Sequence, residues 1–255
     1  MSLDLATMLQ GQVYAYLLIF CRIGAIFMAM PSIGETYVPQ HIRLQFALMV
    51  SFILLPFLAP IFPSMPESPG KVAEMIATEF ITGAFIGLCM RLILSTLEIA
   101  GMLISMQIGL SNAMIFNPAM ASQGSLTGAL MSLLGVVILM ESGLFEMMMA
   151  ALGRSYVVFK AGGVFPIGDM TEFISRTITG SLDLALRLVA PFMILGILFQ
   201  LVAGVMVKMV PQMQIFFVAA PLQILLGLTM FALTIGGIMT FWAHGYEANL
   251  IRMLG

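Results

Sequence analysis

Apolar runs long enough to cross a lipid bilayer recur along almost the whole chain, and few folds can accommodate them. Between Arg43 and Glu67 no ionisable side chain occurs. A spanning helix needs about 20 mostly apolar residues, and a chain of 255 residues has room for several. The composition leaves little alternative: 61% of the residues are hydrophobic and 9% charged, with a mean hydropathy of +1.09. An average soluble domain carries roughly 25% charged residues, and a globule with far fewer could not cover its surface in water. The expected fold is an all-α integral membrane protein of about six long, partly broken hydrophobic helices.

Several function classes fall away. A net charge of −2 offers no basic face for nucleic acid. The two cysteines, Cys21 and Cys89, lie inside apolar runs and read as small buried residues, not a disulfide framework. His41 and His244 are the only histidines, and no HExxH, CxxC or paired-histidine spacing exists, so neither a metal nor another cofactor is expected. No catalytic residues are assigned. Asp183 has no second intramembrane aspartate to share a proton with, and there is no glycine-rich phosphate loop. The first ionisable side chain is Asp4, and Arg22 interrupts the first apolar run, so that run reads as a retained helix and not as a cleavable signal.

Apolar segments are expected over 13–30, 42–62, 71–110, 126–152, 171–210 and 215–242. Two of them approach 40 residues, which as helix would measure about 60 Å, twice the hydrocarbon thickness. The segment 71–110 is therefore expected to bend, to break near Gly101, or to stand partly outside the membrane. Pro191 is expected to divide 171–210. Pro39, Pro56, Pro211 and Pro221 mark further places where a helix starts, kinks or loses a backbone bond. Lysine and arginine counts favour a cytoplasmic N-terminus. The whole chain, 1–255, reads as a single membrane-embedded domain, with helices over 1–110, a loop at 111–125 and helices over 126–255.

Charges within these apolar stretches ask for partners. Arg22, Glu79, Arg91, Glu98, Glu141, Asp183 and Arg187 each cost several kcal/mol in hydrocarbon unless paired or hydrated. Asp183 precedes Arg187 by four residues, the favourable order on a helix. Arg91 and Glu98 are seven apart and share a helix face. Acids and bases alternate, which fits pairing between helices or subunits better than an acid-only proton relay. The spacing Gly83-x-x-x-Gly87 allows two helices to approach closely.

The stretch 111–125, SNAMIFNPAMASQGS, carries no charge yet is rich in Ser, Asn, Gln, Pro and Gly. Asn117-Pro118 and Gly124 are turn residues. A neutral loop of this composition suits a re-entrant segment enclosed by protein; it could block a cavity or simply link two helices. Methionine, at 25 residues, is deformable and polarizable and clusters near this loop at Met102, Met106, Met114 and Met120.

Four stretches together resemble the FliR/SctT family of type III export apparatus subunits. They are FCRIGAIFMAMPSIG, VPQHIRLQFALMVSFILLP, QIGLSNAMIFNPAMASQ and VPQMQIFFVAAPLQILLGL, in the family's order and across nearly the whole chain. The resemblance implies a FliP-like part followed by a FliQ-like part. It also implies an export gate built with FliP and FliQ, with FlhB attached and FlhA nearby, in the inner membrane at the flagellar basal body. Unfolded flagellar proteins would pass through its channel. A plug inside that channel would be formed by Ser111, Asn112, Met114, Phe116, Asn117, Pro118 and Gly124, with Phe116 filling the closed pore. Arg22, Arg91, Glu98, Asp183 and Arg187 would position helices or neighbours. Two positions depart from the family pattern: Asn117 stands where an acidic residue is common, and Gln214 where an asparagine is common. A virulence-type export subunit is the near alternative, and a small-solute secondary transporter with broken helices the more distant one.

Overall fold

A computed structural model of the chain describes residues 2–110, 125–162, 167–209 and 215–254. The regular structure in these residues is helical: α1 (Ser2–Ala29), α2 (Gln40–Leu58), a 3-10 turn (Ala59–Ile61), α3 (Pro69–Gln107), α4 (Leu126–Glu141), α5 (Leu144–Val158), α6 (Ile167–Met209) and α7 (Ile215–Leu254). Five helices are long and apolar enough to cross a membrane, and a sixth span is added if α4 and α5, bent by 73° at their junction, count as one. The chain is an all-α integral membrane protein.

The breaks fall elsewhere than the sequence suggested. The segment 71–110 is not broken near Gly101, because α3 is one helix of 39 residues. Pro191 does not divide 171–210 either: it sits inside α6, a single helix of 43 residues. Proline removes one intrahelical bond, but where water is excluded the flanking backbone bonds have no competitor and the helix persists. The real break lies within 126–152. There Gly143 adopts φ +75 and begins α5, a left-handed conformation that glycine accepts without a Cβ penalty. Pro39 precedes the first turn of α2, Pro56 lies inside α2 and Pro221 inside α7. Pro211 lies outside the described residues.

The chain forms two compact units. One comprises 1–92, 140–177 and 249–255, the other 93–139 and 178–248. In the first unit Leu18, Ile19, Ile23, Ile26 and Phe27 of α1 are fully buried. α2 runs back along α1: the Tyr16 hydroxyl donates to Leu48 O at 3.2 Å, and Phe27 meets Phe46 with ring centroids 5.2 Å apart. α3 runs parallel to α1, with Tyr14 at Met75, Arg22 at Glu79, Ala25 at Gly83 and Ala29 at Gly87. A Cβ on Gly83 would collide with the Arg22 carbonyl, and one on Gly87 with the Ile26 carbonyl. The small-residue spacing thus seats α3 on α1 backbone to backbone.

In the second unit the later part of α3 packs antiparallel to α4, Gly101 against Gly128 and Leu97 against Gly135. α6 and α7 form an antiparallel pair, with Phe192 at 6.2 Å from Phe231 and Leu184 against Gly245. The fully buried Trp242 of α7 donates through Nε1 to Ile93 O of α3 at 3.3 Å.

Burial is uneven. In an 18-residue apolar stretch of each span, 61% of the residues are buried in α3, against 17% in the span of α2 and 22% in α6 and in α7. Phe52, Ile53 and Phe57 on α2, and Ile194, Leu198, Leu201 and Val205 on α6, are exposed. Surfaces of this kind need lipid or further subunits to cover them.

Candidate functional site

Ser111, Asn112, Met114, Phe116, Asn117, Pro118 and Gly124 lie outside the described residues. The chain on either side of them is described, and both approaches are tied to α3. At the first, α3 ends at Gln107 and the chain turns through Gly109 at φ +82, the left-handed glycine common just after helix ends. Ile108 and Gly109 donate to Ile104 O and Met106 O at 2.9 and 3.3 Å. Helix ends leave carbonyls without intrahelical donors, and Gln107 O receives its bond from Gln223 Nε2 of α7 at 2.8 Å. Because a carbonyl only accepts, the nitrogen end of the Gln223 amide must face it.

At the second approach Ser125 starts α4. Its Oγ accepts from Gly128 N at 3.2 Å, the usual geometry of an N-terminal serine cap. Ser125 Oγ and Thr127 Oγ1 lie 2.9 Å apart, and both reach the Gly101 carbonyl of α3, at 3.3 and 2.6 Å. They can do so because Gly101 and Gly128 bring the two backbones into contact. Gly101 lies about 9 Å before Gln107 along α3. Ser125 therefore meets α3 less than two helical turns before that helix ends at Gln107.

The charged candidates fall into three situations. Arg22 is 1% exposed and Glu79 fully buried. Arg22 Nε and Nη2 meet the two Glu79 oxygens at 2.5 and 3.0 Å, the strong bidentate arrangement. Its Nη1 donates to Ser155 O and Phe159 O at 3.2 and 2.9 Å, and its Cζ lies 4.0 Å from the centre of the Tyr156 ring. Arg22 thus neutralises Glu79 and closes the C-terminus of α5, where a cation is electrostatically favoured. Arg91 lies 3.6 Å from Glu35 of the turn after α1, so its observed partner is not on its own helix; Glu98 is exposed. Asp183 and Arg187 pair along α6 at 2.8 Å, yet both are more than half exposed.

Sequence reasoning did not identify Glu79 as the partner of Arg22, nor Glu35 as that of Arg91. It passed over Arg43, which donates to Glu35 O and Val38 O and holds the turn before α2. It also passed over Thr127, Gln107 and Gln223. The available signal was their polarity: an amide or hydroxyl in a largely apolar helix implies a hydrogen-bond partner. Among the described residues no group of three or more His, Cys, Asp or Glu could hold a metal ion. What this arrangement can do is fix Ser125 and the end of α3 through uncharged hydrogen bonds alone.

A family model described as bacterial export proteins, family 1, matches residues 13–248. The flagellar biosynthetic protein FliR of Caulobacter vibrioides is 35% identical over 239 residues, covering 94% of this chain and 95% of its own length. FliR of Bacillus subtilis is 27% identical over 218 residues, 82% of each chain. The Yop proteins translocation protein T of Yersinia pestis is 25% identical over 227 residues, 86% of this chain and 85% of its own.

Proposed function

The chain belongs to the bacterial export proteins, family 1, and is a membrane subunit of a type III protein export apparatus; from that premise we propose that it serves the flagellum as its FliR subunit. With FliP and FliQ it builds the channel through which unfolded flagellar proteins leave the cell, in the inner membrane at the basal body, with FlhB and FlhA beside it. It carries out no chemistry itself. The observation that carries the flagellar assignment is the 35% identity to a FliR across 94% of the chain. The thinly buried faces of α2, α6 and α7 support a subunit that is completed by neighbours and membrane lipid.

The segment 111–125 is the pore plug of this reading, with Phe116 filling the channel and Pro118 and Gly124 shaping the turn. Its neutral, turn-rich composition and the two anchors on α3 support the role. Arg22, Arg91, Glu98, Asp183 and Arg187 position helices and neighbouring subunits.

Native mass spectrometry of the tagged chain, extracted gently from its host membrane, tests the assembly. A defined hetero-oligomer with two other small hydrophobic subunits is expected; a stable monomer or homodimer would favour a solute transporter instead. Deleting residues 114–121 is expected to leave that assembly intact and to let small ions leak through it. Similarity to the Yop translocation protein supports a second reading, a virulence-type apparatus. Deleting the gene separates the two: loss of flagellar filaments marks the first, loss of effector secretion with filaments retained the second.

A further inference from the structure

We propose that the turn joining α1 to α2, residues 30–39, is a strained strap held shut by two arginines, and that it opens when Arg91 releases Glu35. Ser32 stands just after α1 at φ +73, and among the described residues it is the one residue other than glycine with a positive φ. An L side chain crowds its own backbone in that conformation, and the left-handed position after a helix end usually falls to glycine or asparagine. The hydroxyl brings no compensation. Ser32 is 8% exposed and its Oγ has no hydrogen-bond partner, whereas a buried hydroxyl is unfavourable unless bonded. Two costs thus fall on one residue. Strain of this kind persists only where the surroundings over-determine it, and it gathers in segments that switch.

The surroundings do over-determine it. On the side of α1, Gly34 N donates to Met30 O at 2.7 Å, and Gly34 sits so close that a Cβ would collide with the Met28 and Met30 carbonyls. On the side of α2, Val38 N donates to Glu35 O at 3.0 Å. Arg43 of α2 donates to Val38 O through Nε and Nη2, at 3.1 and 2.9 Å, and through Nη2 also to Glu35 O. On the side of α3, Arg91 Nη1 stands 3.6 Å from Glu35 Oε1. Glu35 is thereby held twice, by its carbonyl through α2 and by its carboxylate through α3.

The two holds differ in how easily they let go. Arg43 makes close, charge-assisted bonds to carbonyls that lie within eight residues of it along the chain. The Arg91 contact is longer than a hydrogen bond, and the Arg91 side chain is 43% exposed, so water or an anionic group of a neighbouring molecule can compete for it. The Glu35 side chain is only 15% exposed. Once unpaired, its carboxylate gains by turning out to water, and that outward turn is the movement that frees Ser32.

The test is amide hydrogen exchange across residues 33–38 in the purified, assembled membrane complex, where exchange follows the open population. Ser32→Gly removes both costs, and Ser32→Ala only the hydroxyl. Expected is exchange slowed several-fold in S32G and by less in S32A. Arg91→Met and Glu35→Gln cut the pair from either side. Each is expected to speed exchange several-fold while α4, the internal control, stays unchanged. Adding S32G to either should bring exchange back towards wild type. The proposal is overturned if S32G exchanges as fast as wild type or does not assemble, or if an assembled R91M or E35Q complex keeps the turn as protected as before. It is also overturned if S32G fails to slow those variants, or if neither R91M nor E35Q assembles, which would make the pair a folding contact.

Discussion

α3 is crossed closely at two places, and the two crossings are built alike in backbone and differently in chemistry. Gly83 and Gly87 press against α1, and Gly101 presses against Gly128 of α4. Glycine does the same work in both, removing the Cβ that would hold the helices apart. Beside the first crossing stands the Arg22–Glu79 pair, fully buried and bidentate. Beside the second stand only hydroxyls, Ser125 and Thr127, on the Gly101 carbonyl. Separating a buried ion pair leaves a bare charge in apolar surroundings, whereas a hydroxyl that loses one carbonyl can turn to another. The first crossing is thus expected to resist separation more than the second, and the second is the one that borders residues 111–124.

The largest test of this contrast is Arg22→Met. Leaving Glu79 buried and unpaired is expected to destabilise the complex by about 3–5 kcal/mol, seen as lost yield and a lower melting temperature in detergent. Adding Glu79→Met should restore most of the loss, because an apolar pair of similar volume needs no partner charges. A single variant as stable as wild type would end the claim that this crossing is fixed by charge.

Gly83→Ala and Gly101→Ala probe what the crossings share. Each places a methyl group where backbone already stands, and each is expected to lower stability by about 1–3 kcal/mol, measured by melting of the purified complex. Comparable losses at both sites would sharpen the contrast to the polar groups alone.

Thr127→Val should be milder, about 1 kcal/mol, since hydrogen bonds between membrane helices contribute roughly that or less. Assembly should persist while ion leak through the reconstituted complex rises. Wild-type leak would show that the hydroxyls at the second crossing do not steady the loop.

The smallest intrinsic effect is expected at Arg187→Glu. Its pair with Asp183 is exposed along one helix face, and such pairs contribute about 0.3–0.5 kcal/mol. Melting of the purified chain should hardly change, yet recovery of the hetero-oligomer should drop, and Asp183→Lys in the same chain should restore it. If the single variant assembles normally, this face does not position a neighbour.

What could be read from the sequence was what is local. Hydropathy alone gave the membrane class and the long segments. Asp183 and Arg187 could be paired on paper because four residues of helix bring them together. Gly83 and Gly87 announced a close approach but not α1 as its object, and Arg22 could not be matched to Glu79 across 57 residues because nothing in the spacing of two helices fixes their register. Breaks were misjudged for the same reason. Gly101, Gly143 and Pro191 are equally plausible interruptions in one dimension; packing keeps Gly101 helical against α4, while Gly143 turns the chain at φ +75. The composition of 111–125 was legible, but the bond from Gln223 to Gln107 O was not, since an isolated glutamine says only that it needs a partner.

The 43-residue length of α6 bears on the life of the chain before it is assembled. At 1.5 Å per residue the helix is about 65 Å long, and a bilayer core of about 30 Å can shelter less than half of it. The first half of the helix carries Asp169, Glu172, Arg176, Asp183 and Arg187, yet it also exposes Ile178, Leu182 and Leu186, an apolar row that water covers poorly. A newly made copy is therefore expected to be prone to aggregation until other subunits cover that row. The abundance of the chain in the cell should accordingly follow the supply of its partners more closely than its own rate of synthesis.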